Sequence, residues 1–546
     1  MFAIRNDRVS VLGAYLILGI VTAAAGAADL AVLSVEPTPR AIAAPRRAVI
    51  TVHFDKPVKP SSIVPLQSFW AFGRWSGTVT GTFAFSDGDT TVSLIPDHNF
   101  SAGENVMVIL SHDIEATDNT NLRPGGYSFQ FWVRSEFAPL VFADIDHLNT
   151  RTTPGINSRA YGAIASDLNG DRSMDLAIIN EDTADLRVFL NRNDQSGLYV
   201  EPFIQPTFPL GNRASPNEPA DFNRDGRVDL CVANINVDTV SVLLGNGNGT
   251  FAPQQLINVG FTPRGVAVLD ADGDGDVDIV NTNTDAGGGM GNLSVILNNG
   301  SGVFGGSTFF EGGVDGEWAL GAADMNNDGL LDLVIGAQSG GRVVVNLNNG
   351  NGTFSPQTPR IASGVWMLAL GDVNGDGNDD VAVVQNAINR GGILLGDGLG
   401  GLAAPVNHVV DSFPIAVDLA DMDGDGDLDW ITSSYGGDWF LFTNNGAGTF
   451  TFNQEFLAPQ AASCATAVDF DNDGDVDLAL IDELQDEVIL MQNSGNHAIP
   501  AVSTWGLIVL GLTISVAASI RTRRVPLALC PPAGSLGRGR ESKDRS

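Results

Sequence analysis

Between residues 167 and 477 a nine-residue pattern, Asp-x-Asn/Asp-x-Asp-x-x-x-Asp, occurs seven times. The copies are DLNGDRSMD from Asp167, DFNRDGRVD from Asp221, DADGDGDVD from Asp270, DMNNDGLLD from Asp324, DVNGDGNDD from Asp372, DMDGDGDLD from Asp421 and DFDNDGDVD from Asp469. Their first aspartates stand 54, 49, 54, 48, 49 and 48 residues apart. A near-fixed period of that size marks a solenoid or propeller, in which each unit buries its apolar face only against the next.

The spacing is that of a Ca²⁺ loop. Calcium takes six to eight hard oxygens from a short segment, with side-chain oxygens at positions 1, 3 and 5, a main-chain carbonyl at 7 and a further acid. Position 9 supplies that acid here. The candidate ligands are Asp167, Asn169, Asp171, Ser173 and Asp175 in the first copy, and Asp221, Asn223, Asp225, Arg227 and Asp229 in the second. The third offers Asp270, Asp272, Asp274, Asp276 and Asp278, and the fourth Asp324, Asn326, Asp328, Leu330 and Asp332. Asp372, Asn374, Asp376, Asn378 and Asp380 follow, then Asp421, Asp423, Asp425, Asp427 and Asp429, and last Asp469, Asp471, Asp473, Asp475 and Asp477. Like charges at about 4 Å repel by roughly 4 kcal/mol even at an effective dielectric near 20, so a cation must offset them. Glycine at position 6 permits the sharp turn around the ion, and the first copy, with Arg172 there, is expected to be the weakest.

An EF-hand needs a bidentate Glu at position 12 between helices. Here position 12 is Asn281, Thr432 or Leu480 in three of the copies, and the flanks are β-branched runs such as Gly265–Leu269 and Val277–Val280. Those flanks are strands, not helices.

A second landmark follows most loops by about 25 residues: LLGNGNGTF at 243–251, ILNNGSGVF at 296–304, NLNNGNGTF at 346–354, LLGDGLGGL at 394–402 and FTNNGAGTF at 442–450. With two motifs recurring in phase, residues 138–495 resemble the FG-GAP and VCBS repeats of integrin-α-like propellers. The resemblance implies an all-β fold, a seven-bladed β-propeller over 136–495, with calcium in the hairpin between strands A and B of each blade. In the third repeat Gly265–Leu269 is then strand A, Asp278–Asn283 B and Asn292–Asn298 C, with D after Phe304. The last repeat stops at Met491 without a D strand, so Pro139–Ile145 is expected to complete blade seven and leave no open edge.

The net charge is −35, and seven Ca²⁺ would bring it to −21. Without a basic face, nucleic acid is excluded as a partner. Residues 29–135 lack acidic loops and carry alternating runs at Arg47–Phe54, Gly77–Phe85, Thr90–Ile95, Asn105–Leu110 and Tyr127–Val133, the texture of an antiparallel sandwich. Ile50–Val58, Leu94–Pro96 and Tyr127–Trp132 resemble bacterial Ig-like domains of the S-layer SbsA type. That makes this part an Ig-like spacer or second adhesive module.

Residues 1–28 read as a secretory leader: Arg5 and Arg8, the apolar run Val11–Val21, then Ala25-Gly26-Ala27-Ala28. Near the other end Trp505–Ile520 is apolar and precedes Arg521-Thr522-Arg523-Arg524, an expected transmembrane helix with a cytoplasmic basic stop before the 525–546 tail. Ile499–Leu507 ahead of it is similar to the IPTL-CTERM class of sorting tails, although Ala501-Val502 and Thr504 depart from that motif and 22 residues follow Arg524.

Only Cys231, Cys464 and Cys530 occur, and no disulfide is implied. The six histidines are scattered, with no nucleophile motif beside them, so a non-catalytic role is expected. A candidate ligand face lies six residues before each first aspartate, where the column reads Tyr161, Ser215, Arg264, Trp318, Trp366, Ile415 and Ser463. Tyr161, Arg264, Trp318 and Trp366 are the candidate ligand-binding residues, since aromatics and Arg supply most contact energy at interfaces. The expected protein is exported, retained at the cell envelope and loaded with up to seven Ca²⁺, and it binds a surface protein or glycan. A carbohydrate-active enzyme and a structural surface-layer component are the alternatives, and an acid pair on the ligand face would favour the enzyme.

Overall fold

The computed structural model describes residues 28–200, 207–284 and 293–493. The leader up to Ala27, the sorting motif, the apolar run 505–520 and the tail lie outside them. Among the described residues no helix is long and apolar enough to cross a membrane.

The repeats fold as seven antiparallel sheets, six of four strands and the fourth with a fifth short strand, Arg360–Ile361, also paired to Arg342–Asn348; the first six run in chain order. Their first strands are Ala160–Ser166, Ala214–Ala220, Pro263–Leu269, Glu317–Ala323, Val365–Gly371, Pro414–Ala420 and Ala462–Val468. Each packs against the next, and the first also packs against the last, which closes the ring of a β-propeller. The second strands, such as Asp278–Asn283 and Asp477–Asp482, are buried at every residue, as expected of runs with sheet on both edges and apolar neighbours on both faces. Outer strands such as Val406–Val409 are mostly exposed.

The seventh sheet takes its fourth strand from ahead of the first repeat. Phe142–Asn149 runs antiparallel to Glu487–Asn493, with Leu148 opposite Val488 and Phe142 opposite Asn493. The closing strand starts three residues later than Pro139–Ile145 and runs on to Asn149. Leu148 is fully buried in the blade-seven core, and that anchor sets the register.

Residues 29–135 form two four-stranded sheets around one apolar core that includes Val52, Phe69, Val108, Phe129 and Phe131. Two expectations needed correction. The run Gly77–Phe85 is two strands, Gly77–Thr78 in one sheet and Gly81–Ser86 in the other. Phe69–Gly73 is a strand that the alternating pattern does not announce, because all five residues are buried. Phe69 and Ala71 face the sandwich core, while Trp70 and Phe72 face the ring together with Met107 and Ile109.

That second face makes the sandwich more than a spacer. It and the linker leaving it touch every acidic loop. Asp167 N–H donates to Trp75 O at 2.8 Å, Thr78 Oγ1 to Asp221 Oδ2 at 2.8 Å, and Trp70 Nε1 to Gly275 O at 2.9 Å. Ser128 N–H donates to Gly329 O at 2.8 Å, and Arg40 Nε to Asp379 Oδ2 at 2.7 Å. Ser135 Oγ donates to Asp421 O at 2.8 Å and Glu136 N–H to Gly474 O at 2.7 Å. The approach is close enough that a Cβ on Gly275 would collide with Gln67 O, and one on Gly329 with the Tyr127 ring. Glycine at position 6 is therefore required twice there, once by the turn and once by the domain lying on it.

Candidate functional site

In every loop the chain curls around its own carboxylates. Outside the sixth loop the position-1 aspartate accepts N–H groups from residues 3 to 5 positions on: Gly375 and Asp376 donate to Asp372 Oδ1 at 2.7 and 3.2 Å, and Gly377 to Oδ2 at 2.8 Å, whereas both buried Asp421 oxygens meet no donor among the described residues. Position 5 donates to position 3 and position 7 to position 5, as in Asp376 to Asn374 at 2.9 Å and Asn378 to Asp376 at 2.9 Å. This leaves a row of side-chain oxygens turned toward one point. Positions 4 and 6 both take positive φ, which sequence reasoning assigned to position 6 alone. Asn327, Arg224 and Asn472 adopt it at position 4 (61°, 57° and 60°), and Arg172 at position 6 (71°). Arg172 N–H still donates to Asp167 Oδ2 at 2.9 Å, so the first loop closes like the rest, at the cost of a left-handed non-glycine residue.

The position-9 aspartates have a second job that spacing does not reveal. Asp429 Oδ2 accepts from Met422 N–H at 3.1 Å and Oδ1 from Asn444 N–H at 2.9 Å; Asp278 and Asp477 repeat both contacts. Asn444 lies in the second landmark, and its Nδ2 donates to Leu428 O at 3.1 Å and, across the blade boundary, to Val373 O at 2.7 Å. The landmark is thus the staple between a loop and the preceding blade. Asn191 closes the ring the same way, donating to Phe470 O at 2.7 Å.

Burial pushes these carboxyls upward: Asp229, Asp332 and Asp429 to about 8, Asp380 to about 7. Asp270 and Asp469 also rise to about 8, by burial and by neighbouring acids. Carboxylate oxygens converge most tightly in three loops: Asp270, Asp272 and Asp278; Asp421, Asp423 and Asp425; Asp469, Asp471 and Asp477. These are the copies with Asp at position 3. Buried oxygens of Asp272, Asp427, Asp469 and Asp475 meet no hydrogen-bond donor among the described residues. A hard divalent cation fits them, because such oxygens are costly to bury unpaired. At position 7 of the sixth and seventh loops the Asp427 and Asp475 side chains each keep one buried oxygen without a donor among the described residues, and burial beside the other loop acids pushes both carboxyls upward. Two arginines also sit among the loop carboxylates, one from a loop and one from the sandwich. Arg224 of the second pairs with Asp276 of the third, and Arg40 bridges Asp379 and Asp324 of the fifth and fourth. Asp379, an extra acid at position 8 in that copy alone, was the available signal for Arg40 and went unused.

The opposite end of the ring is uncovered by the sandwich. Here each first strand breaks register at the candidate column, for example between Glu317 and Ala319 and between Val365 and Met367. A bulge redirects a side chain, and these redirect theirs toward the axis. Trp318 and Trp366 lie 4.2 Å apart between ring centroids, the Arg264 guanidinium sits 3.8 Å over Trp318, and Trp366 Nε1 donates to the Tyr161 hydroxyl at 2.9 Å. All four candidate ligand residues therefore meet in one half-buried cluster, which Phe413 and Tyr435 extend. Ile415 and Ser463 are buried and stay apart from it.

Beside the cluster lies an acid pair that sequence reasoning did not name. Glu181 and Glu483 are 4% and 1% exposed, and Arg159 pairs with both. Arg213 Nε also donates to Glu181 Oε1 at 2.7 Å. Among the described residues no histidine joins a metal-type cluster.

Five segments, residues 167–232, 221–281, 324–383, 372–432 and 421–480, match the family described as FG-GAP-like repeat, each running from one acidic loop through the next. Together they contain all seven loops. No curated protein matches the chain. Similar solved structures include a lectin of Agrocybe aegerita recognising non-reducing terminal N-acetylglucosamine (15% identity, 84% of this chain and 100% of that one, TM-score 0.40). Others are a virginiamycin B lyase of Staphylococcus aureus (14%, 64% and 98%, 0.41) and BBS1N in complex with ARL6DN (13%, 67% and 99%, 0.44).

Proposed function

We propose that this FG-GAP-like repeat chain is an exported, calcium-stabilised propeller of the cell envelope that binds a surface glycan or protein through the end of the ring opposite its acidic loops. The leader over 1–28 and the apolar run Trp505–Ile520 with its basic stop support export and retention, and the 29–135 sandwich is read as Ig-like. The observation that carries the reading is the aromatic cluster of Trp318, Trp366, Tyr161 and Arg264 on the one end of the ring that the sandwich leaves open. Half-buried indoles beside a guanidinium supply flat apolar area and directed donors together, which suits a sugar face or a protein side chain. In the loops, Ca²⁺ would supply the positive charge that the carboxylates otherwise lack, and it acts on the fold rather than on the ligand.

The test is a glycan and protein array probed with the calcium-loaded chain. The Trp318→Ala, Trp366→Ala double variant is expected to lose attachment while its calcium-dependent melting persists. Binding retained by a folded double variant moves the site elsewhere. A second reading, a carbohydrate-active enzyme, is favoured by Glu181 and Glu483 converging on Arg159 at the same end. Release of reducing ends from a polysaccharide panel, lost in Glu483→Gln, would establish it.

A further inference from the structure

The axis of the ring is neither filled nor open. A chamber of about 260 Å³ lies between the seven first strands, floored by the sandwich residues Phe72, Trp75, Met107 and Trp132. Tyr161 stands at its upper rim, and the Tyr161–Trp366 hydrogen bond joins blades one and five across the mouth. The volume falls just below the roughly 300–1,000 Å³ of pockets for drug-sized ligands, so an occupant must be small.

The walls are divided. Blades three, four and five present Val266, Val268, Leu320, Met367 and Leu370, all apolar. The other side presents Glu218 from blade two and Asp418 from blade six, and Arg74 rises from the floor. Arg74 and Glu218 stand 3.8 Å apart, an ion pair too long for a hydrogen bond. Neither the guanidinium nor the Glu218 carboxylate has a hydrogen bond among the described residues. About half of the Arg74 side chain (49%) is open, and the space it opens on is the chamber. Asp418 is held in place by Leu419 N–H at 3.0 Å and Ala467 N–H at 3.2 Å, and its charge also acts on Arg74. Charged groups require hydrogen-bonding partners, and Arg74 and Glu218 must find theirs, water or ligand, within the chamber.

We propose that the chamber is a binding site for a small zwitterion with an apolar side chain, the chemistry of a free hydrophobic α-amino acid. The guanidinium of Arg74 takes the carboxylate, Glu218 and Asp418 take the ammonium, and the side chain lies against the wall of blades three to five. The carboxylate and ammonium of such a molecule answer the unbonded Arg74 and Glu218, with Asp418 adding a second negative charge, and its side chain answers the apolar wall. A simple anion would meet two carboxylates, and a simple amine would leave the Arg74 donors unpaired. Tyr161 lines the chamber and is tied to Trp366, which places the cluster at this end to act as a gate to the site. The assignment is independent of whether the outer surface of that cluster binds glycan or protein.

Calorimetric titration of the calcium-loaded full chain with L-leucine tests it, beside leucinamide, 4-methylpentanoate and glycine. Saturable one-to-one binding of leucine is expected, with each of the other three at least tenfold weaker. Glu218→Gln and Arg74→Gln should each weaken leucine at least tenfold. Leu320→Trp, which fills the apolar side, should abolish binding while the calcium-dependent melting transition is kept, so the proposal stays testable if Arg74→Gln fails to fold. No saturable binding of leucine, equal binding of leucinamide or 4-methylpentanoate, or binding unchanged in Leu320→Trp and Glu218→Gln would overturn it.

Discussion

The two ends of the ring are built on opposite plans. At the loop end the same residues recur blade after blade, in most loops the same backbone N–H groups close on the first aspartate, and one domain with its linker lies over all seven loops. At the other end the equivalent position is Tyr161, Arg264, Trp318, Trp366, Ile415 or Ser463, and its side chains make contacts that no other blade repeats. Repetition marks what every blade needs to exist, and departure from it marks what only the assembled ring can do.

The largest test of that contrast is removal of the cation. With chelator the loop carboxyls keep their raised values in the folded state, so the fold holds more protons than the unfolded chain between about pH 4 and 8. Stability of the chelated protein is therefore expected to fall as pH rises through that window. The calcium-loaded protein should show the reverse, because protons compete with the metal as pH falls. Melting curves at pH 5.5 and 8 with and without millimolar Ca²⁺ check both signs, and melting that is indifferent to chelator at pH 8 would remove the metal from the loops.

A smaller effect is expected at the seam between sandwich and ring. Arg40→Met keeps the aliphatic stem but leaves Asp379 and Asp324 without their cation, and breaking a buried pair on one side costs about 3 kcal/mol. Urea unfolding measures it. If the sandwich were a free spacer, the substitution would cost almost nothing.

The smallest test lies within the repeats. Arg172→Gly relieves a left-handed non-glycine residue and should stabilise the chain by up to about 1 kcal/mol, the gain being reduced by glycine's greater unfolded entropy. A loss would show that the Arg172 side chain contributes something that glycine at this position in the other six loops does without.

Much of the scaffold is legible in the sequence, because a loop fixed by oxygen spacing and strands fixed by β-branched runs are local properties. Asp278–Asn283 and Asn105–Leu110 appear where the pattern places them. Phe69–Gly73 does not, because a strand buried on both faces has no alternation to read. The seating of the sandwich is also invisible, since it depends on Arg40 meeting Asp379 and Trp70 meeting Gly275 across distant parts of the chain. At the candidate site the column of large residues is readable, but its convergence is not. The bulges that aim Trp318 and Trp366 inward are a property of paired backbones, and Arg74, Glu218 and Asp418 come together only once the ring has closed over the floor.

The strand Phe142–Asn149 carries a consequence for how the molecule is made. It leaves the ribosome before any blade, yet its partner Glu487–Asn493 is among the last of the described residues to be synthesised. During all of that time the strand has an open edge, and the earliest blade lacks the neighbour against which its first strand packs. Circularity is thus a post-synthetic event, gated by arrival of the final repeat, with a large loop-closure entropy to overcome at one step. Until that repeat arrives, the unpaired edge of Phe142–Asn149 is open to any other strand, including the same strand of a second chain.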